Sequence, residues 1–186
     1  MNIFLWIKEY KKVYDESYKN IGDFLTSTRA VTAAKELNYL QSLVQIIVKA
    51  NPELQKLDTR VVFSRDWWPN AYSMGDGTIA VNAGLLIYLD NEAELVYILC
   101  HELSHFYLDH TGKAIKKYVE TVSDPDFQKE LKRLSKQQYK VHDRLEELSK
   151  TIVFNNRRHS RSNETEADMQ AYKFMKQTGF DCSSIL

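Results

Sequence analysis

The chain has two cysteines in 186 residues, too few for a disulfide framework. Cys100 lies among apolar residues and reads as a small buried hydrophobe; Cys182 stands near the end of the sequence. Charge of one sign is also missing, because Lys+Arg and Asp+Glu number 25 each and the formal net charge is +0. That balance argues against a nucleic-acid partner or a protein held by charge on an anionic membrane. The cluster Arg157, Arg158, His159 and Arg161 is a small local exception. Long hydrophobic runs are absent too. Those around Leu43 to Val48 and Leu95 to Cys100 fall far short of the ~20 residues that a membrane-spanning helix needs. Residues 1–6 lack the basic start and apolar length of a signal peptide, so export would require a signal already removed. No internal repeat or low-complexity tract occurs. What remains is 44% hydrophobic content, enough for a single domain over residues 1–186 with one sizeable core.

Hydrophobic spacing makes that domain mostly helical. Residues 3–19 read as a first helix, with Phe4, Leu5, Ile7 and Tyr10 among Lys and Glu. Residues 28–49 read as a second, with Val31, Ala34, Leu37, Leu40, Val44, Ile47 and Val48 on one face. Asn51-Pro52 breaks it. The run Val61-Val62-Phe63 predicts a short strand. After Trp67-Trp68-Pro69, residues 70–73 and 78–81 read as two strands joined by a turn at Gly75-Asp76-Gly77. Asp124-Pro125 reads as a cap with proline at the first helical position. It opens a long helix to about Ile152 whose apolar seam reads as packing on the domain's own core, with a coiled-coil partner surface as the alternative.

Against that background, His101-Glu102-Leu103-Ser104-His105 is the most informative stretch. On a helix, residues i and i+4 lie one above the other, so His101 and His105 can both aim a ring nitrogen at one Zn²⁺. Glu102 then stands beside the open coordination position as a general base. In a chain with 5 His an HExxH arises by chance roughly once in 100 such sequences, so its surroundings must carry the assignment. They do. Asn91 and Glu94 have capping-box spacing, and Leu95, Ile98, Leu99, Leu103 and Phe106 then recur at threes and fours. Thr111-Gly112 supplies a helix stop.

A catalytic zinc takes three protein ligands and keeps one position open. Leu108 and Thr111 interrupt the HExxHxxGxxH continuation, so none of the remaining histidines, His110, His142 or His159, extends the motif. The better candidates lie in the segment 160–168, which reads as the opening of another amphipathic helix, with Ala167, Ala171, Phe174 and Met175 on one side and Gly179 past its end. Glu164 and Asp168 are i and i+4. One can bind metal while the other accepts a hydrogen bond from a ligand histidine. Glu166 is the next carboxylate in line.

HELSH followed by a distant ExxAD resembles the gluzincin peptidases of the CaaX prenyl protease and HtpX heat-shock protease group. Ser160-Arg161 before Glu164 fits that group's SRxxExxAD signature. Asn70-Ala71-Tyr72, Gly77-Thr78-Ile79-Ala80-Val81, Gly84-Leu85-Leu86, Glu94-Leu95 and His110 match its pattern in order, so the likeness runs from about Val61 to Asp181. Ser104 stands where the group usually has glycine. The resemblance implies an α+β fold, a mainly helical zincin-like domain with a small β-sheet beside the active-site helix. It implies one Zn²⁺ per chain, held by His101, His105 and Glu164, with Asp168 behind the ligands and Glu102 as the catalytic base. It also implies that Asn70, Ala71 and Tyr72 form a sheet edge along which an extended peptide adds as a strand. Arg161, His159 and Tyr172 are chemically able to stabilise the oxyanion. Trp67, Trp68 and Tyr72 read either as apolar subsites or as buried packing.

The chain resembles the soluble branch of the group, whose members often continue into a helical-repeat domain, so one reading is a catalytic module that has lost, or been cut from, a C-terminal partner domain. A periplasmic or membrane-associated setting is allowed if a signal has been removed. The function these residues imply is zinc-dependent endoproteolysis of extended or misfolded proteins. The alternative is a zinc-stabilised module that holds such clients without cutting them.

Overall fold

The computed structural model describes residues 3–31, 35–134 and 141–185, with side chains outside 134–159 and 184–185. The described fold is α+β, mainly helical with one four-stranded sheet. In chain order it runs α1 (Ile3–Leu25), β1 (Ala30–Val31), α2 (Lys35–Ala50), β2 (Arg60–Ser64), β3 (Ala71–Ser73) and β4 (Thr78–Asn82). It continues through α3 (Ala83–Leu86), α4 (Glu92–Tyr107), α5 (His110–Val122), α6 (Pro125–Leu134) and α7 (Val141–Thr178). Two compact units contain these elements, one from residues 1–17 and 112–163, the other from 18–111 and 164–186. No helix among the described residues is long and apolar enough to cross a membrane.

In the first unit, the rings of Trp6 and Tyr10 stack at 5.0 Å and those of Tyr10 and Tyr14 at 6.0 Å, as i,i+4 spacing on one helix face allows. Val119 of α5 is fully buried. Asp124 Oδ1 accepts the N–H groups of Asp126 and Phe127, both at 3.0 Å. With Pro125 in the first turn, this is the cap expected for α6.

The second unit is built around its sheet, in the order β1-β2-β4-β3. β2 and β4 run parallel, and β1 and β3 are antiparallel edges. All five residues of β4 are buried, as befits a central strand. Leu40, Leu43, Val44 and Ile47 of α2 join Leu95, Val96, Leu99, Cys100 and Leu103 of α4 in one core. Ile79, Val81, Ala171, Phe174 and Met175 complete it. Buried Asn51 donates Nδ2–H to Ile47 O at 2.8 Å and to Phe174 O at 3.1 Å, closing α2 and tying it to α7. α4 starts at a reciprocal cap, where Asn91 Oδ1 accepts Glu94 N–H at 3.0 Å and the Glu94 carboxylate accepts Asn91 Nδ2–H at 2.8 Å.

Two glycines are required by close approach. Gly77 has φ +90°, and a Cβ there would stand 2.0 Å from Asp58 O. At Gly84 a Cβ would stand 1.9 Å from Trp67 O, because Gly84 N–H bonds Asp66 O at 3.0 Å and draws the β2–β3 loop onto α3. The Arg29–Asp66 ion pair anchors the same loop, and the guanidinium holds the Asp66 carboxyl below the usual carboxylate range. Gly84→Ala is therefore expected to destabilise the fold by about 1–3 kcal/mol, since backbone and not a flexible side chain must move. A lowered thermal unfolding midpoint would register it.

Three sequence expectations need correction. α2 begins at Lys35 and not at 28, because Ala30 and Val31 form β1 against Ser64 and Phe63. Two residues carry no readable period, and only the partner strand defines them. Gly112 does not stop a helix. The chain turns at Asp109, a non-glycine residue at φ 52°, and α5 starts at His110 with Gly112 in its first turn. The described parts of the helix expected over 124–152 are helical, as α6 and the start of α7, whereas the new helix start expected at 160–168 is absent, because α7 continues through 160–164. No glycine or proline lies between 141 and 178 to end it, so Ser160 and Asn163 sit inside a helix and not at its cap. The seam residues from Leu134 to Ile152 lie outside the described side chains.

Candidate metal centre

The Asn91 cap and the buried stripe of α4 put His101 and His105 one turn apart on the same face, His105 in the last turn of the helix. Their Nε2 atoms lie 3.0 Å apart. Glu164 of α7 brings its Oε2 to 3.2 Å from His101 Nε2 and 3.5 Å from His105 Nε2. Ala167, Ala171, Phe174 and Met175 are fully buried and hold this part of α7 in place, which leaves the Glu164–Asp168 face turned to the histidines. One ligand atom from each of His101, His105 and Glu164 falls within 4.8 Å of the others.

The chemistry of these donors is that of a cation site. Asp168 Oδ1 is 2.9 Å from His101 Nδ1 and, being acceptor-only, holds the ring proton there. His101 therefore turns the lone pair of Nε2 toward His105 and Glu164. Two imidazole nitrogens and a carboxylate so arranged repel one another unless a positive charge lies among them. An N,N,O donor set suits zinc. Burial, with the neighbouring His101 and His110, pushes the His105 pKa down, against the pull of Glu164.

Glu102 is buried on the α4 surface next to β3. Its pKa is pushed up to about 7, chiefly by burial, with Glu164 adding to the rise and His101 and the Ser73 amide opposing it. Ser73 N–H donates to Glu102 Oε2 at 2.8 Å. Ser104 is fully buried and donates its hydroxyl to Cys100 O at 2.7 Å, so the side chain that replaces the usual glycine is satisfied within α4.

The other expected residues divide. Asn70, Ala71 and Tyr72 lie at or in the edge strand β3, Tyr72 paired with Ala80 and touching Phe24 edge-on at 6.3 Å. Tyr172 is exposed on the face of α7 that carries Glu164 and Asp168, with Lys176 Nζ 5.6 Å from its ring centroid. Arg161 is exposed and belongs to the first unit. His159, Arg157 and Arg158 lie outside the described side chains. Buried packing is excluded for Trp67 and Trp68, each 75% exposed.

Sequence reasoning missed two participants. Tyr97 donates its hydroxyl to Asp168 Oδ1 at 3.3 Å. Its place one turn before His101 on α4 was the available signal. The Ser73 amide could not be foreseen, since a main-chain group has no signature in sequence. With His101 Nδ1–H and Tyr97 O–H both on Asp168, Asp168→Ala is expected to weaken zinc affinity by ~10–100-fold while the fold persists. Competition against a chromophoric chelator measures this, and an unchanged affinity would reduce Asp168 to a solvated carboxylate.

A model of peptidase family M48 matches residues 34–186 of the chain. No curated protein matches it.

Proposed function

The chain belongs to peptidase family M48, a family of zinc metallopeptidases, and from that premise we propose that it is an endopeptidase that cuts extended or misfolded protein segments. Within the family, HELSH and the SRxxExxAD segment support a place with the CaaX prenyl proteases and HtpX heat-shock proteases. What carries the reading is the situation of Glu102. Its carboxylate meets the main chain of an edge strand, and the same stretch of α4 bears the two histidines that Glu164 of α7 joins in one donor cluster.

Zinc held by His101, His105 and Glu164 would supply Lewis acidity, polarising the scissile carbonyl and acidifying the water that attacks it. Glu102 takes that water's proton on a carboxylate oxygen and delivers it to the leaving nitrogen as the C–N bond breaks. The Ser73 N–H keeps the carboxylate in one orientation, so the base needs no reorganisation as it accepts the proton. Asp168 keeps His101 in the tautomer that a metal ligand needs.

Substrate recognition follows from β3. Tyr72 pairs with Ala80, and Asn70 and Met74 bond Asn82 and Thr78 on either side, so Ala71 and Ser73 turn their main-chain groups away from β4. Ser73 N–H is given to Glu102, which leaves Ala71 N–H and C=O to pair with an incoming strand. Such bonds are indifferent to side-chain sequence. They require a segment whose own backbone is free, and that selects unfolded over folded protein. The exposed phenol of Tyr172, on the Glu164 face of α7, is the first oxyanion donor to test.

The zinc-loaded protein is expected to digest casein but leave a tightly folded protein intact. A chelator should stop the reaction and added zinc restore it. Zinc binding together with intact casein at long incubation would count against the peptidase and for a client-holding module.

A further inference from the structure

His110 plays no part in the reaction described above, yet it is buried, with its side chain only 5% exposed, one residue past the left-handed turn at Asp109. That turn folds the start of α5 back on α4 and brings His110 Nδ1 to 2.9 Å from His105 Nδ1. On the other side of the His110 ring, Glu166 Oε2 lies 3.5 Å from Nε2, a charge contact and not a hydrogen bond.

Two ring nitrogens 2.9 Å apart share one proton, and its owner decides what His105 can do. If His110 donated it, neutral His105 would carry its own proton on Nε2, pointing at His101 and Glu164, and could not act as a ligand there. If His105 donates it, Nε2 keeps its lone pair. The Glu166 carboxylate breaks the tie, because its negative charge beside Nε2 favours the His110 proton on that nitrogen. His110 Nδ1 is then the acceptor.

We propose that His110 and Glu166 are positioning residues for the metal centre. Glu166 holds the His110 proton on Nε2, His110 Nδ1 accepts Nδ1–H from His105, and His105 presents an unprotonated Nε2 toward His101 and Glu164. The inference rests on the zinc-peptidase reading. It gives the second histidine the counterpart of what Asp168 gives the first, through an intermediary ring in place of a direct carboxylate. A left-handed non-glycine residue at the junction is the kind of local strain that persists where it sets up a site.

The test compares His110→Leu, His110→Asn and Glu166→Gln with wild type in zinc affinity, by chelator competition. It also uses the thermal unfolding of the metal-free proteins and nitrogen-15 NMR of the imidazole rings. Asn places an amide oxygen near the position of Nδ1 and can still accept from His105. Leu fills space but cannot accept.

His110→Leu is expected to lose ~10–100-fold in zinc affinity, with His110→Asn recovering most of it and Glu166→Gln falling between. In wild type the NMR should show the His105 proton on Nδ1 and the His110 proton on Nε2. Equal zinc affinity in His110→Leu and wild type overturns the proposal. So does equal weakness in Leu and Asn, which would make His110 a packing residue, or a His110 proton on Nδ1. If His110→Leu does not fold, the exposed Glu166→Gln variant and the wild-type spectrum still decide. A wild type that binds no zinc would overturn the peptidase reading and this one with it; a wild type that binds zinc isolates the failure here.

Discussion

Glu102→Gln is expected to keep its zinc and to lose peptide hydrolysis by ~10²–10⁴-fold, the usual worth of a positioned general base. Gln is nearly isosteric with Glu and leaves His101, His105 and Glu164 untouched, so the donor cluster stays whole. Its side-chain oxygen can still accept the Ser73 N–H at the place where Glu102 Oε2 now does so, and β3 should not move. What the amide cannot do is take a proton from water near neutral pH. Because the native carboxylate is buried, its replacement by a neutral group also removes a charge that is expensive to keep out of water. The variant should therefore be as stable as wild type or more so. Metal analysis, thermal unfolding and casein digestion separate these effects. Cleavage that survives unchanged in Glu102→Gln would place the chemistry outside this motif.

Glu164→Ala is expected to empty the site, lowering zinc affinity at least as far as His101→Ala or His105→Ala does. It removes the one negatively charged donor of the three, and two neutral imidazoles alone are a poor match for a divalent ion that takes three protein ligands. The Glu164 side chain is about half exposed, at 51%. The fold of α7 rests on its opposite face through Ala171, Phe174 and Met175, so the loss should appear in metal content and activity with little change in metal-free stability. Full zinc occupancy in Glu164→Ala would mean that another carboxylate completes the site, and Asp168, already 2.9 Å from His101, would be the next to replace.

The local features were legible because their causes are local. The Asn91–Glu94 cap, the buried stripe of α4 and the i,i+4 relation of His101 and His105 all follow from residues within a few turns of one another. The caps at Asp124 and the positive φ at Gly179 are of the same kind. The expectations that failed had causes elsewhere in the chain. β1 exists only because Ser64 and Phe63 offer it a partner. The end of α4 was read from Gly112, whereas the backbone reverses at Asp109 so that His110 can meet His105.

By itself the sequence determined that two histidines and a glutamate share one face of a rigid helix, and that Glu164 and Asp168 share one face of another. Which of those carboxylates approaches which histidine was decided by the packing of α7 on the α4 core, because these contacts join residues far apart in the chain and no period records them. The Ser73 amide on Glu102 and the imidazole pair His105–His110 are also tertiary facts. A main-chain donor looks the same in every sequence. The bond a ring nitrogen makes depends on what the fold brings within 3 Å of it.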